Sequence, residues 1–172
     1  MMRFSRLLLA CVTALAVSGC AGYKLGPTNG LTAGEKSLQI NPFSNQTMEP
    51  RLGDSVTTAL RRNIQRDGTF KLATHDGADI VVTGVLKHYD RHELSFLAKD
   101  VLTAKDYRVT VIAHVTARDV VADKTVLDQD VIGYTLIRVG SDLASSERQA
   151  LPLLADDLAK NVAELLTDGP WW

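Results

Sequence analysis

The stretch YRVTVIAHVTAR, from Tyr107 to Arg118, alternates between two kinds of side chain at every position. Successive side chains of a β-strand point to opposite faces, so this period of two predicts a half-buried strand. One face would meet a core of valine and alanine. The other face is mostly polar, and we predict that it contacts a partner; the alternative is that only water covers it. The residues assigned to this partner-facing side are Arg108, Thr110, His114, Thr116 and Arg118.

A first helix is indicated well before this strand. Its apolar residues recur at every fourth position and form one stripe, as expected of a helix with one buried face. Pro50 suits the first turn, and Asp67-Gly68 ends the helix, with the glycine available for a left-handed cap. The stripe consists of Leu52, Val56, Leu60 and Ile64.

Shorter apolar patterns predict the remaining elements. In the strand predicted over Val126–Val139, Gly133 is interpreted as a bulge. A second helix is predicted within Ser145–Thr167, where Pro152 indicates either a kink or the start of the helix. Three further strands are predicted, over Lys36–Phe43, Asp79–Asp90 and Val126–Val139.

The order β-α-β-β-β-α predicts an α+β fold. Two amphipathic helices can cover only one face of a sheet, so we expect a two-layer sandwich with both helices on one face of a mixed four-stranded sheet. The first two strands should be parallel because a helix connects them, and the later strands should form an antiparallel meander. The opposite face of the sheet would stay uncovered.

The first twenty residues resemble a bacterial lipoprotein signal. Arg3 and Arg6 precede an apolar run, Leu7–Val17, and small residues lead up to Cys20. The run is about eleven residues long, whereas a membrane-spanning helix needs roughly 20. The alternatives are a transmembrane anchor, or a cleaved signal that leaves Cys20 as a free thiol.

On this interpretation, residues 1–19 are the signal peptide, residues 20–34 a lipidated tether and residues 35–172 a single domain. Cys20 would carry an N-acyl and an S-diacylglycerol group, with no other cofactor. Ala21 follows the lipidated cysteine, and in the sorting rule that this signal resembles, a residue other than Asp there favours the outer membrane. The predicted location is therefore the outer membrane, with the domain on the periplasmic side.

Charge and cysteine content argue against a nucleic-acid-binding protein and against a domain stabilised by disulfides. The formal net charge of the 172-residue chain is −1, which offers no basic footprint for nucleic acid. There are two cysteines. Cys11 leaves with the signal and Cys20 is the anchor, so we predict no disulfide in the domain.

No catalytic or metal constellation is visible, and we predict a protein that is not an enzyme. His88 and His92 would lie roughly 13 Å apart along a strand, too far to share a metal ion. His75-Asp76 lies in a turn without a nucleophile elbow. Asp128 and Asp130 share one side of a strand and are interpreted as solvated charges. The alternative, a lipid-anchored hydrolase, would need one of the histidines.

Two further features concern binding. Four basic residues are interpreted either as a cluster that binds an anionic ligand or as scattered surface charge. Trp171 and Trp172 either fold back on the helix or anchor to a partner or a membrane interface. The four basic residues are Lys99, Lys105, Arg108 and Arg138.

Five stretches resemble the LptE-type lipopolysaccharide-assembly lipoproteins, in a divergent branch of that family. The resemblance rests on the order of these stretches along the chain together with the lipoprotein signal. It covers nearly the whole segment after Cys20. The stretches are GYKLG at 22–26, NPFSNQTMEPR at 41–51, QRDGTF at 65–70, ADIVVTG at 78–84 and SERQA at 146–150.

The resemblance implies a protein that is not an enzyme and that sits inside the LptD β-barrel as plug and assembly partner during transport of lipopolysaccharide to the outer leaflet. A barrel lumen is polar, which would suit the uncovered sheet face. The resemblance also implies lipopolysaccharide contact by basic loop residues, for which Lys99 and Lys105 are the candidates. The loop before the last helix departs from this pattern, because it has no basic residue until Arg148. The alternative is a generic periplasmic adaptor or ligand-binding lipoprotein without a barrel partner.

Overall fold

The computed structural model describes residues 33–97, 100–139 and 142–169. Six strands and two helices make up this part of the chain. None of the helices described is long and apolar enough to cross a membrane. The elements are β1 (Ser37–Ile40), β2 (Ser44–Asn45), α1 (Leu52–Asp67), β3 (Lys71–Leu72), β4 (Ile80–Leu97), β5 (Asp100–Asp119), β6 (Lys124–Arg138) and α2 (Leu143–Asp168).

All six strands belong to one mixed sheet in the order β3-β1-β4-β5-β6, with β2 also paired to β4. The pairs β1–β3, β1–β4 and β2–β4 are parallel, and β4, β5 and β6 form an antiparallel meander. The α+β class and the mixed sheet are confirmed. The predicted count of four strands is too low because β2 and β3 have only two residues each, too few to show a period.

Helix α1 forms as its apolar stripe predicts. All four stripe residues are buried, and Gly68 caps the helix in the left-handed conformation, with its N–H donating to the carbonyl of Ile64. The hydroxyl of Thr57 accepts a hydrogen bond from the N–H of Phe43 at 3.0 Å. The helix is thereby joined to the segment between β1 and β2.

Helix α2 begins earlier than predicted. Asp142 is its N-cap and accepts hydrogen bonds from the N–H groups of Ala144 and Ser145. Pro152 lies inside the helix, so the interpretation that the helix starts at Pro152 is wrong. The two helices contact each other, with the guanidinium of Arg62 2.6 Å from a carboxylate oxygen of Asp156.

Both helices pack on the same face of the sheet, as the one-sided alternation of β5 predicts. Leu154, Leu158 and Leu166 of α2 join the stripe of α1 in a single buried cluster. The valines and alanines of β5 belong to the same cluster: Val109, Val111, Ala113, Val115 and Ala117.

Gly133 does not mark a bulge, which corrects the prediction. It pairs with Val111 in unbroken register, and the register shift between β5 and β6 falls next to Arg118 instead. A Cβ at Gly133 would lie 2.7 Å from both the N and the Cα of Leu158. The glycine is there because the backbone of α2 lies directly against the strand.

An ion pair joins the residue before β1 to the turn between β5 and β6. The ammonium of Lys36 lies 2.9 Å from a carboxylate oxygen of the buried Asp119. The N–H of Ala122 donates to the other carboxylate oxygen at 2.8 Å. The bond from Ala122 and then the bond from Lys36 hold the pKa of Asp119 below its usual range.

We expect Gly133→Ala to lower the free energy of unfolding by about 1–3 kcal/mol, because the new methyl group overlaps the helix backbone and forces α2 away from the sheet. Urea denaturation measures the change. Gln129→Ala is the matched control, since Gln129 lies on the same strand and the same side but is exposed. Equal stability of the two variants would contradict the close approach.

We expect Asp119→Asn to cost about 1 kcal/mol at pH 7, because the amide loses the ionic contact with Lys36. The folded-state pKa of Asp119 is lowered, so its contribution is complete above the unfolded-state pKa of about 4 and is lost as the pH falls through the folded-state pKa. The difference between variant and wild type should therefore shrink in acid. Asp123→Asn, on the same turn but exposed, is the control in the same denaturation series and should change stability by less than about 0.5 kcal/mol.

Candidate functional site

The face of β4, β5 and β6 that points away from the helices is uncovered over the part of the chain that the structure describes. We call it the open face. It carries all five residues assigned to the partner-facing side of β5, because each alternates with a buried residue. Arg108 and Arg118 are exposed, and the other three are partly exposed. Contact of these residues with a partner stays a prediction.

A charged cluster occupies the middle of the open face. His114 lies between two carboxylates, with its Nδ1 2.8 Å from Asp130 and its Nε2 3.0 Å from Asp128. The ammonium of Lys87 lies 3.0 Å from the same oxygen of Asp130. The hydrogen bonds from Lys87 and then His114 hold the pKa of Asp130 below its usual range. Asp128 and Asp130 therefore share one side of β6, as predicted, but they are more than solvated charges because they bracket His114.

An apolar stripe on β6 lies beside this cluster. Ile132, Tyr134 and Leu136 point to the open face, and each is more than half exposed. The guanidinium of Arg108, on the neighbouring strand, lies over the Tyr134 ring at 5.4 Å from its centroid. Sequence reasoning missed this stripe, although the period-two spacing of its three residues was a readable signal.

The outer edge of β6 is occupied at the level of this stripe. The carboxylate of Asp157 accepts from the N–H of Tyr134 at 2.8 Å, and the side-chain amide of Asn161 donates to the carbonyl of Ile132 at 2.8 Å. Helix α2 thus satisfies backbone groups that would otherwise be free to pair with an added strand. A partner at this level would contact side chains of the open face.

The basic residues predicted as an anion cluster are partly engaged within the protein. Arg138 lies 2.9 Å from Asp106, and Asp106 also accepts from the hydroxyl of Ser95 at 2.6 Å. Those two bonds, that of Ser95 first, hold the pKa of Asp106 below its usual range. Lys105 is exposed, and Arg108 lies over Tyr134.

Several predicted features fall outside the residues that the structure describes. They include Lys99, the lipid-attachment residue Cys20, the signal at 1–19, most of the tether at 20–34, and the pair Trp171 and Trp172. Within the described ranges, no group of histidine, cysteine or acidic side chains is placed to hold a metal ion. His75, His88 and His92 are all exposed.

Comparison with solved structures shows the same fold in proteins of low sequence identity. A protein of Xanthomonas campestris has a TM-score of 0.61 at 8% identity, with 85% of this chain and 91% of that chain covered. A hypothetical protein of Chlamydia trachomatis has a TM-score of 0.57 at 11% identity, covering 77% and 95%. A minor lipoprotein of Acinetobacter baumannii has a TM-score of 0.50 at 12% identity, covering 77% and 93%.

Comparison with protein families identifies the chain more closely. No curated protein matches it. A family model described as "LptE: Lipopolysaccharide-assembly" matches residues 35–167, which include both helices almost to the end of α2 and the whole sheet. The chain therefore belongs to the LptE family, whose role is lipopolysaccharide assembly.

Proposed function

We propose that this protein is an outer-membrane lipoprotein that docks by its open face inside an LptD-type β-barrel. There it acts as plug and assembly partner during transport of lipopolysaccharide to the outer leaflet. Membership of the LptE family supports a role in lipopolysaccharide assembly. The single observation that supports the docking is the open face itself, which leaves an apolar stripe of three large side chains in water.

The composition of the open face suits a protein partner. Exposed apolar patches next to polar residues are typical of interaction sites, and tyrosine and arginine are enriched among residues that dominate binding energy. Arg108 over Tyr134 supplies both types at one place. Thr110, Thr116 and the His114 cluster supply hydrogen-bonding groups that match the polar lining of a barrel lumen.

We propose that lipid groups bound covalently to Cys20 attach the protein to the membrane. Cys20 would carry an N-acyl and an S-diacylglycerol group, which together give stable anchoring where one chain alone does not. The domain then lies on the periplasmic side of the outer membrane and needs no other cofactor. The proposed role is not enzymatic, since docking and plugging require no reacting group.

Direct contact with lipopolysaccharide is proposed for Lys99 and Lys105, the two residues that the resemblance indicates. Lys105 is exposed, and Lys99 stays a candidate from the resemblance. Arg138 contributes less to anion binding, because Asp106 already neutralises it at 2.9 Å.

Tagged protein extracted from outer membranes in detergent should co-purify with a large β-barrel protein in near-equal amount. Quantitative mass spectrometry of the eluate measures this ratio. A deletion strain should also lose surface lipopolysaccharide. Purification without any barrel protein, together with unchanged surface lipopolysaccharide, would favour the generic periplasmic adaptor instead.

The double variant Ile132→Glu, Leu136→Glu should abolish co-purification of the barrel, because two carboxylates would be placed in an apolar contact. Its unfolding free energy should change by no more than about 0.5 kcal/mol per substitution, since both side chains are exposed. Leu153→Glu is the matched control: Leu153 lies on α2 away from the open face and is 62% exposed, against 60% for Leu136. Equal loss of the barrel in both variants would contradict docking by the open face.

A further inference from the structure

The two outermost edges of the sheet are covered in part by other groups of the protein. At the β6 edge, side chains of Asp157 and Asn161 bond to backbone groups of the strand. At the opposite edge, β3 pairs with the start of β1, and the guanidinium of Arg61 donates to the carbonyl of Ile40 at 2.9 Å. These contacts keep an added strand from pairing at those levels.

Strand β4 has a further edge that no strand covers over its second half, within the residues that the structure describes. Its parallel neighbours β1 and β2 pair with it only as far as Leu86. The strand continues to Leu97, and from His88 onward β5 is its one described neighbour. The register with β5 is unbroken over residues 88–93, about 20 Å of strand. We call residues 88–93 the free edge.

The register shows which backbone groups of the free edge point away from β5. The carbonyl of Leu86 accepts from the N–H of Gln46 at 3.0 Å, so the backbone groups of Leu86 point away from β5. Leu86 pairs with Ala113, and Tyr89 pairs with Val111. Residues two apart on β5 have the same orientation in an antiparallel ladder, so Tyr89 has the orientation of Leu86.

Three residues of the free edge therefore direct their backbone groups outward. Alternation along the strand gives Arg91 and Glu93 the orientation of Tyr89. Their N–H and carbonyl groups have no hydrogen-bonding partner among the described residues. The strand is held from the helix side, where Glu147 of α2 accepts from the Tyr89 hydroxyl at 3.1 Å and lies 3.1 Å from the Arg91 guanidinium. The free edge is thus ready to pair with one more strand.

The free edge is also acidic. Asp90 and Glu93 are exposed, and neither has an ion-pair partner in the described part of the chain. Arg91, which lies between them, is already neutralised by Glu147. Opposite charges on neighbouring strands are stabilising and like charges are destabilising. An added strand that carries lysine or arginine therefore matches this edge.

We propose that the free edge binds an extended, basic segment of the barrel protein, which adds to β4 as a further strand. This inference rests on the proposed function. Asp90 pairs with Thr110 of the open face, so a partner seated on that face lies beside the edge. The wall strands of a closed barrel are already paired on both sides, so the segment comes from a loop or a chain end of the barrel protein. Main-chain hydrogen bonds supply the affinity, and the acidic side chains select basic residues.

Arg91→Pro tests the backbone pairing. Proline removes an N–H that points outward, and an edge strand tolerates proline at such a position. Arg91→Ala is the matched control, because it loses the same side chain and the contact with Glu147 but keeps the N–H. The barrel protein recovered per tagged protein from detergent extracts should fall about tenfold in the proline variant and less than twofold in the alanine variant. Equal recovery by quantitative mass spectrometry would overturn the proposal.

Hydrogen exchange on the wild-type protein tests the same pairing without a variant. In the protein alone, the outward amides of Tyr89, Arg91 and Glu93 should exchange fast, because they are not hydrogen-bonded. In the purified complex with the barrel protein, deuterium uptake by a peptide that covers the free edge should fall by about three amides. Unchanged uptake would overturn the proposal, even where the proline variant does not fold.

The double variant Asp90→Asn, Glu93→Gln tests the charge of the edge. It should lower recovery of the barrel protein about threefold or more at low salt, because the basic segment loses its counter-charges. Asp54→Asn, Glu164→Gln is the matched control, since both residues are exposed on the helices, away from the edge. The same recovery in both double variants would overturn the basic character of the segment.

The wild-type sample separates this inference from the proposed function. A barrel protein that is absent even with the wild type removes the partner and this occupant together. Equal recovery with Arg91→Pro and Arg91→Ala leaves the proposed function in place and removes only the edge pairing. A dimer of the purified protein in light scattering that Arg91→Pro dissociates would show that a second copy occupies the edge, and would also overturn the proposal.

Discussion

The backbone of α2 lies directly against β6 at Gly133, and this contact sets the position of the helix on the sheet. A side chain at that position would meet the N and the Cα of Leu158 at 2.7 Å. Because the helix comes so close, Asp157 and Asn161 reach the outer edge of β6 and satisfy its backbone groups. The same contact keeps α2 beside α1 on one face of the sheet, so the opposite face is left for other uses.

The open face combines two kinds of surface side by side. One is a charged cluster in which Asp128 and Asp130 bracket His114. The other is an apolar stripe whose Tyr134 ring carries Arg108 above it. The exposed apolar area gives no stability to the isolated domain, and it is the surface on which the proposed docking rests. Membership of the LptE family places the protein within lipopolysaccharide assembly.

The long, regular elements were predictable from the sequence, and the short or irregular ones were not. The alternation from Tyr107 onward predicted the two faces of β5, and Gly68 was identified as the cap of α1. Strands β2 and β3 could not be predicted because two residues cannot show a period. The predicted bulge at Gly133 is wrong because a glycine in a strand can mark either a bulge or the close approach of another backbone, and only the position of α2 distinguishes the two.

The sequence by itself determined which residues are buried and which are exposed along α1 and β5, because burial there follows a local period of apolar side chains. The same local pattern was sufficient to predict the α+β class and a sheet with one uncovered face. Tertiary structure alone decided what meets across the sheet: His114 with two carboxylates, and the stripe from Ile132 to Leu136 beside Arg108. These neighbours come from different strands, and their meeting depends on the register of β4, β5 and β6, which no single segment of the chain encodes.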